Sequence, residues 1–217
     1  MFGKNKIMKQ DLDPDGKLWV QEIFYTIQGE GISAGRPAVF IRLAGCNLRC
    51  HFCDTEFESA LENKNNFKSV LDICTIVSNP PMPSYTPAIK PLIVITGGEP
   101  FRQNIAPLLA TLCSGGFEVE IETAGTLWFD DMDQVMEDHL GSIFITCSPK
   151  TAKINFRLAQ HIVAWKYVCM HNQVSPTDGL PIGSTQILNN PDIVARPPLH
   201  NEQYIYVSPC DQHNEDD

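Results

Sequence analysis

The sequence predicts an α/β fold built on a parallel sheet, and three observations predict it. Short runs rich in β-branched and aromatic residues alternate with stretches whose apolar residues recur at helical spacing. The chain has 217 residues, 43% of them hydrophobic, which is enough for one sizeable core. Residues 1–217 therefore read as a single core domain, with an N-terminal extension at 1–19 and an acidic tail at 212–217. Finally, the unusual polar and glycine motifs all fall at the C-terminal ends of strands, where parallel α/β sheets bind ligands.

The elements follow in order. Residues 38–43 (AVFIRL) form an apolar first strand. Phe67, Val70, Leu71, Cys74 and Val77 then recur at helical spacing and predict a helix. Residues 78–91 (SNPPMPSYTPAIKP) are proline-rich and read as a loop. The second strand is 92–96, followed by a helix marked by Ile105, Leu108, Leu109 and Leu112 and ended by Gly115 and Gly116. Strand, helix, strand means a parallel pair. Further strands are expected at 117–122, 142–147, 164–169 and 204–208, with an irregular stretch at 176–198. CNLRCHFCDT (46–55) follows the first strand and Gly97-Gly98-Glu99-Pro100 the second. Glu122-Thr123-Ala124-Gly125 ends the third, Ser148-Pro149-Lys150 follows the fourth, and Ser208-Pro209-Cys210-Asp211 ends the sixth. One rim gathers cysteines, carboxylates, a lysine and glycine turns.

The cysteines Cys46, Cys50 and Cys53 carry the strongest chemical signal. Their CX3CX2C spacing supplies three thiolates where a closed 4Fe-4S cluster takes four, leaving one iron open to a ligand. A structural zinc site is the alternative, since three cysteines and a histidine make a common tetrahedral set. His51 suits it poorly because it directly follows Cys50, and no second CXXC pair stands at the usual distance. Cys74, Cys113, Cys147, Cys169 and Cys210 lie singly in apolar surroundings and read as buried thiols.

Composition excludes several classes. A formal charge of -10 leaves no basic stripe for a nucleic-acid backbone. The N-terminal MFGKNKIMKQDLDPDGK lacks the apolar centre of a secretion signal, and no apolar run approaches the ~20 residues of a membrane span. A soluble, cytoplasmic protein with reduced thiols is expected. Among the polar residues, Arg42 ends an apolar run beside the cysteine motif, and its planar fork suits a carboxylate, although an edge-strand surface charge would read the same way. Glu30 lies between glycines and on its own reads equally as a solvated loop carboxylate. Glu118, Glu120 and Glu122 alternate along one strand face, and the first two read as solvated or paired.

Taken together the motifs resemble one family, the 7-carboxy-7-deazaguanine synthases, which are radical S-adenosylmethionine (SAM) lyases of 7-deazapurine (queuosine-type) biosynthesis. The resemblance rests on Gln28-Gly29-Glu30-Gly31, GRPAVFIR at 35–42, CNLRCHFCDT at 46–55, TGGEP at 96–100, IETAGT at 121–126, CSPK at 147–150 and the final YVSPCD, and covers about residues 20–211. It implies a radical SAM core domain folded as a modified, incomplete (β/α)6 partial barrel, often a homodimer. It also implies conversion of 6-carboxy-5,6,7,8-tetrahydropterin to 7-carboxy-7-deazaguanine: an adenosyl radical takes hydrogen from C6, the ring contracts, ammonia leaves and SAM is regenerated.

The roles implied are these. Cys46, Cys50 and Cys53 bind a 4Fe-4S cluster. Phe52, Cys53, Asp54, Gly97, Gly98, Glu99, Ser148, Pro149 and Lys150 bind SAM, the glycines admitting backbone carbonyls to its methionine ammonium and Glu99 strengthening that grip. Ile27, Gln28, Gly29, Glu30, Thr96 and Glu122 read the pterin, whose paired N–H donors suit carboxylates, and Arg42 clamps its carboxylate. Arg42 and Glu122 join the cysteines as the catalytic set. Thr55 offers an oxygen to Mg2+, and a flavodoxin or ferredoxin supplies electrons. The alternative with the same cluster is an activase that makes a glycyl radical on a partner protein, against which the QGEG motif and Arg42 favour a small molecule. Family members usually continue past the sixth strand with a helix, a short strand and a Gln-Thr-His-Lys-like motif. This sequence ends in DQHNEDD at 211–217, so either it is truncated or the lid is made differently; a more open pocket is expected, and His213, an isolated histidine in an acidic tail, reads as solvated sooner than as a stand-in for the missing histidine.

Overall fold

The computed structural model describes residues 5–11, 16–79, 90–183, 185–186, 193–198 and 203–210. Its centre is an open eight-stranded sheet in the order β3-β1-β2-β4-β5-β6-β7-β8. The strands are β1 (Leu18–Ile27), β2 (Pro37–Leu43), β3 (Phe67–Lys68), β4 (Leu92–Gly97), β5 (Val119–Thr123), β6 (Ile143–Cys147), β7 (Ile162–Cys169) and β8 (Tyr204–Pro209). From β2 to β8 every neighbouring pair is parallel. β1 is antiparallel to both β2 and β3. All six expected strands are present; the inner ones are largely buried, as parallel strands covered on both faces are, whereas β8 at the edge of the sheet is largely exposed.

Two further strands escaped the pattern. In β1 the core positions are Leu18 and Val20, then Ile23 and Tyr25, because a bulge between Val20 and Glu22 shifts the register. That slip breaks the period of two on which a strand is recognised. Phe67, expected in the first helix, instead pairs with Trp19 as part of β3, the two rings stacked 4.8 Å apart. The helix α2 (Val70–Ser78) starts three residues later, behind a capping box in which the Ser69 side chain accepts from Asp72 N and the Asp72 carboxylate accepts from Ser69 N. The first crossover also contains α1 (Glu58–Glu62); α3 (Ala106–Ser114) and α4 (Met132–Asp138) complete the α-helices. Between β6 and β7 the described chain makes only a 3-10 turn at Leu158–His161, so the repeat of strand and helix is incomplete. Most of the expected loop 78–91, and the tail 212–217 with His213, lie outside the described residues.

The two faces of the sheet differ. On one, Val39, Ile41 and Leu43 of β2 with Ile93, Ile95, Ile121 and Ile145 pack against Ile73 and Val77 of α2 and Leu108, Leu109 and Leu112 of α3. Truncating such a fully buried isoleucine to alanine costs about 2–5 kcal/mol. The other face is apolar only at its lower end, where Ala38, Leu92 and Val94 pack with Phe40. Parity then fixes its upper end. Arg42 pairs with Thr96, Glu122 with Thr146, and Thr146 with Ala164, which stands two residues before Lys166. Alternate residues share a face, so this upper end is polar. No helix among the described residues is long and apolar enough to cross a membrane.

Candidate active site

The polar upper end of that face opens into a cavity of about 860 Å3 whose lining includes all three motif cysteines, Arg42, Thr96, Glu122 and Lys166. The cysteine loop is tied down from distant parts of the chain. Asn5 Nδ2 approaches Cys53 Sγ at 3.6 Å and also donates to Thr55 O, while Phe57 N donates to Asn5 Oδ1 at 3.0 Å. On the other side Thr185 Oγ1 and Gln186 Nε2 point at Cys50 Sγ at 3.4 and 3.3 Å, and Leu48 N reaches Cys46 Sγ at 3.4 Å.

Burial pushes the Cys46 thiol up to about 12, with the nearby Glu99 carboxyl adding to it, and burial also raises Cys53. Thiols in such a setting become thiolates when a metal binds them. Among the described residues no three His, Cys, Asp or Glu side chains are placed to hold a single ion. Three thiols facing one cavity, each with N–H or O–H groups at its sulfur, fit an iron-sulfur cluster, whose properties depend on such hydrogen bonds. His51 does not line the cavity, its ring nitrogens lying 2.9 Å from Thr185 O and 3.1 Å from Met170 Sδ.

Beside the cysteines, the end of β4 presses against the end of β2. A Cβ on Gly97, which has φ of +135°, would stand 2.1 Å from Leu43 O, and one on Gly98 would stand 2.1 Å from Gly45 O. The two glycines are therefore demanded by backbone packing, in addition to lining the cavity. Glu99 lies behind this turn. Its side chain is 0% exposed and does not face the cavity: it accepts from Thr123 Oγ1 at 2.6 Å, Ala124 N at 2.8 Å and Phe101 N at 3.1 Å. It clamps the ends of β4 and β5 together, and burial, opposed by these bonds, holds its pKa above the carboxylate range. Ser148 and Lys150 line the cavity, with Lys150 Nζ donating to Ser148 O at 2.9 Å. Pro149 does not.

The remaining wall is a connected set of polar side chains. Glu122 accepts from Thr96 Oγ1 at 3.0 Å and from Gln28 Nε2 at 3.3 Å. Arg42 pairs through Nε with Glu22 of β1 at 2.8 Å and donates from Nη1 to Thr55 Oγ1 at 3.3 Å, and Thr55 donates to Asp54 at 3.0 Å. Glu30 is partly solvated, its side chain 44% exposed, but it is also held: Lys166 Nζ pairs with it and Ser208 Oγ donates to it at 3.1 Å. Burial would raise the Glu30 pKa, but the hydrogen bond and charge of Lys166 outweigh it and hold the group ionised below its ordinary value. Lys166 is pushed the other way. Burial opposes its charge, yet Glu122, Glu30 and Glu120 together raise it above the usual lysine value. Glu120, read from sequence as solvated or paired, is fully buried, accepts from Thr146 Oγ1 at 2.8 Å, and is raised by burial and by the charge of Glu122. Glu118 pairs with Arg36 at 2.7 Å.

Ile27 does not join the site: it is 62% exposed at the end of β1. Cys210 is not a buried thiol but lines the cavity, and only Cys113 and Cys147 are fully buried. Gln28, Gly29, Glu30, Phe52, Asp54 and Thr55 are all brought to the cavity wall. Sequence reasoning missed Lys166 and Asn5. The signal for Lys166 was present, a lone lysine inside the apolar strand IVAWKYVC.

Against known proteins, no family model matches the chain. It is 40% identical over 220 residues to a 7-carboxy-7-deazaguanine synthase of Rhodospirillum rubrum, covering 98% of this chain and 83% of that one. It is 44% identical over 183 residues to the synthase of the same name from Rickettsia prowazekii, covering 80% of this chain and 71% of the relative. The fold resembles the crystal structure of QueE from Escherichia coli with a TM-score of 0.54, at 27% identity over 70% of this chain and 72% of that one. With identity sustained over nearly its whole length, the chain belongs to the 7-carboxy-7-deazaguanine synthase family.

Proposed function

We propose that this chain is a radical SAM lyase that converts 6-carboxy-5,6,7,8-tetrahydropterin to 7-carboxy-7-deazaguanine with loss of ammonia. The observation that carries this reading is one cavity bearing both a three-cysteine loop and the hydrogen-bonded set Gln28, Thr96 and Glu122. Cys46, Cys50 and Cys53 would hold a 4Fe-4S cluster, and Phe52, Asp54, Gly97, Gly98, Ser148 and Lys150 would hold SAM. Together the two would supply the radical that takes hydrogen from the substrate.

The protein's own groups bind and orient. Arg42 would clamp the substrate carboxylate, its fork aimed by the ion pair with Glu22. A carboxylate has about four acceptor sites, so Glu122, with two used by Gln28 and Thr96, keeps capacity for paired N–H donors of an aminopyrimidinone. Lys166 keeps its proton at Nζ and acts as a fixed cation that holds Glu30 ionised. Thr55 would add an oxygen to a magnesium site, in keeping with the preference of a hard cation. A flavodoxin- or ferredoxin-class donor would deliver the electron, and a homodimer in the cytoplasm would be the working form. The relatives named above are synthases, and no observation favours the activase. The test is anaerobic incubation of the chain with SAM, reductant, Mg2+ and the carboxytetrahydropterin, with product mass analysis. Formation of 7-carboxy-7-deazaguanine supports the reading; 5'-deoxyadenosine without that product refutes the substrate assignment.

A further inference from the structure

A buried cation underlies the cysteine loop without facing the cavity. Arg102 is 2% exposed and absent from the cavity lining. Its Nη2 donates to Ala44 O at 3.1 Å, and a Cβ on Gly45 would stand 2.6 Å from its Nε. Ala44 and Gly45 lead directly into Cys46, so the guanidinium is packed against the backbone that presents the first thiol. Its ion-pair partner is Asp11 at 3.8 Å, a residue about one-third exposed on the N-terminal segment, which also bonds to Cys46 O through Met8 N at 2.8 Å. Arg102 Nε has no hydrogen-bond partner among the described residues. A leucine or methionine would fill this space without the cost of desolvating a charge, so packing alone does not account for arginine here. The other buried ionisable group beside Cys46 is Glu99, whose oxygens are occupied by Thr123, Ala124 and Phe101.

We propose that the Arg102–Asp11 pair sets the reduction potential of the cluster held by Cys46, Cys50 and Cys53. Arg102 raises it and Asp11 tempers it. The inference rests on the cluster reading given above. A fixed positive charge in a low-dielectric site favours the state carrying the extra electron, and a carboxylate favours the other. Because the Asp11 carboxylate is about one-third exposed and stands 3.8 Å from a guanidinium that is almost fully buried, solvent screens the carboxylate more than the arginine, the arginine charge is only partly cancelled and the net effect is upward.

The test uses the full chain, reconstituted anaerobically, with iron and sulfide measured first and the midpoint potential then taken by EPR-monitored redox titration. Arg102→Met removes the charge at similar volume, Arg102→Lys keeps it, and Asp11→Asn removes the counter-charge. The expected result is a lower potential for Arg102→Met, by about 59 mV or a tenfold change in the ratio of reduced to oxidised cluster. Asp11→Asn should shift it upward, and Arg102→Lys should stay near the parent value. A structural role would not produce opposite signs. Equal potentials, or shifts of the same sign in Arg102→Met and Asp11→Asn, overturn the proposal while leaving the cluster in place. If Arg102→Met fails to fold or load iron, an unshifted Asp11→Asn potential overturns it alone. A parent chain without iron and sulfide overturns the cluster reading itself.

Discussion

Replacing Gly98 by alanine should separate the ends of β4 and β2 and loosen the SAM side of the cavity. The added Cβ would lie 2.1 Å from Gly45 O, 2.5 Å from its carbonyl carbon and 3.1 Å from Cys46 Cβ. A relaxed C···O contact is about 3.3 Å or more, so the two backbones must part by about 1.2 Å. Two hydrogen bonds cross that gap, Gly98 N to Leu43 O at 3.1 Å and Glu99 N to Gly45 O at 3.0 Å, and neither survives such a displacement. At about 1 kcal/mol each, with about 1–3 kcal/mol for overpacking, the loss is about 3–5 kcal/mol. Against a total stability of about 5–15 kcal/mol this is a large fraction, enough to move the unfolding midpoint measurably. Urea unfolding followed by circular dichroism gives the stability, and equilibrium dialysis of SAM with the reconstituted protein gives the site. Gly29→Ala is the comparison: no atom lies within 4 Å of its Cβ, and its unfolding midpoint should match the parent. A Gly98→Ala chain with parental midpoint and parental SAM affinity would show that the close approach is not required.

Other substitutions divide the site by task. Cys50→Ala should abolish 5'-deoxyadenosine production, since two thiolates do not hold the cube; more than a trace of product refutes the cluster assignment. Arg42→Ala should weaken substrate binding at least tenfold in a titration while uncoupled SAM cleavage persists, and unchanged affinity removes Arg42 from the carboxylate clamp. Glu30 has a lowered pKa, so the stability it contributes is present above its ordinary value of 4.5 and is lost as pH falls through the lower folded value. Lys166 has a raised pKa, so its contribution is present below 10.5 and is lost as pH climbs through the higher folded value. Lys166→Met should remove the main force that lowers the Glu30 pKa, leaving Ser208 and Lys150 to oppose burial, so the variant is less stable at neutral pH and loses less further stability between about pH 7 and pH 3 than the parent; an unchanged pH dependence in urea unfolding refutes the pairing.

Five of the parallel strands were legible as nearly continuous apolar runs and β5 by the strict alternation of FEVEIE at 117–122, whereas β1 was hidden by a single bulge that changes which residues face inward. The start of α2 was also written in the sequence. Ser69 and Asp72 make a capping box that overrides the apolar spacing of Phe67. At the site, Arg42, Thr96 and Glu122 were legible because strand ends in a parallel sheet point their polar residues to one rim. Glu99 was not, because its role depends on Thr123 and Ala124, brought to it only when β5 docks beside β4. The ionised state of Glu30 likewise depends on Lys166, four strands away across the sheet from β2 and distant in sequence.

The ties on the cysteine loop bear on the order of events in biosynthesis. Cys53 is approached by Asn5 from 48 residues upstream, while Cys50 is met by Thr185 and Gln186 from 135 and 136 residues downstream. Contacts of such separation form late, after the intervening sheet has closed the distance. A growing chain that has exposed CNLRCHFCDT but not yet residues 185 and 186 presents three thiols without the donors that address the sulfur of Cys50. On the cluster reading proposed above, the donors around Cys50 would be in place only after most of the chain has been translated, so cluster binding would follow folding rather than precede it.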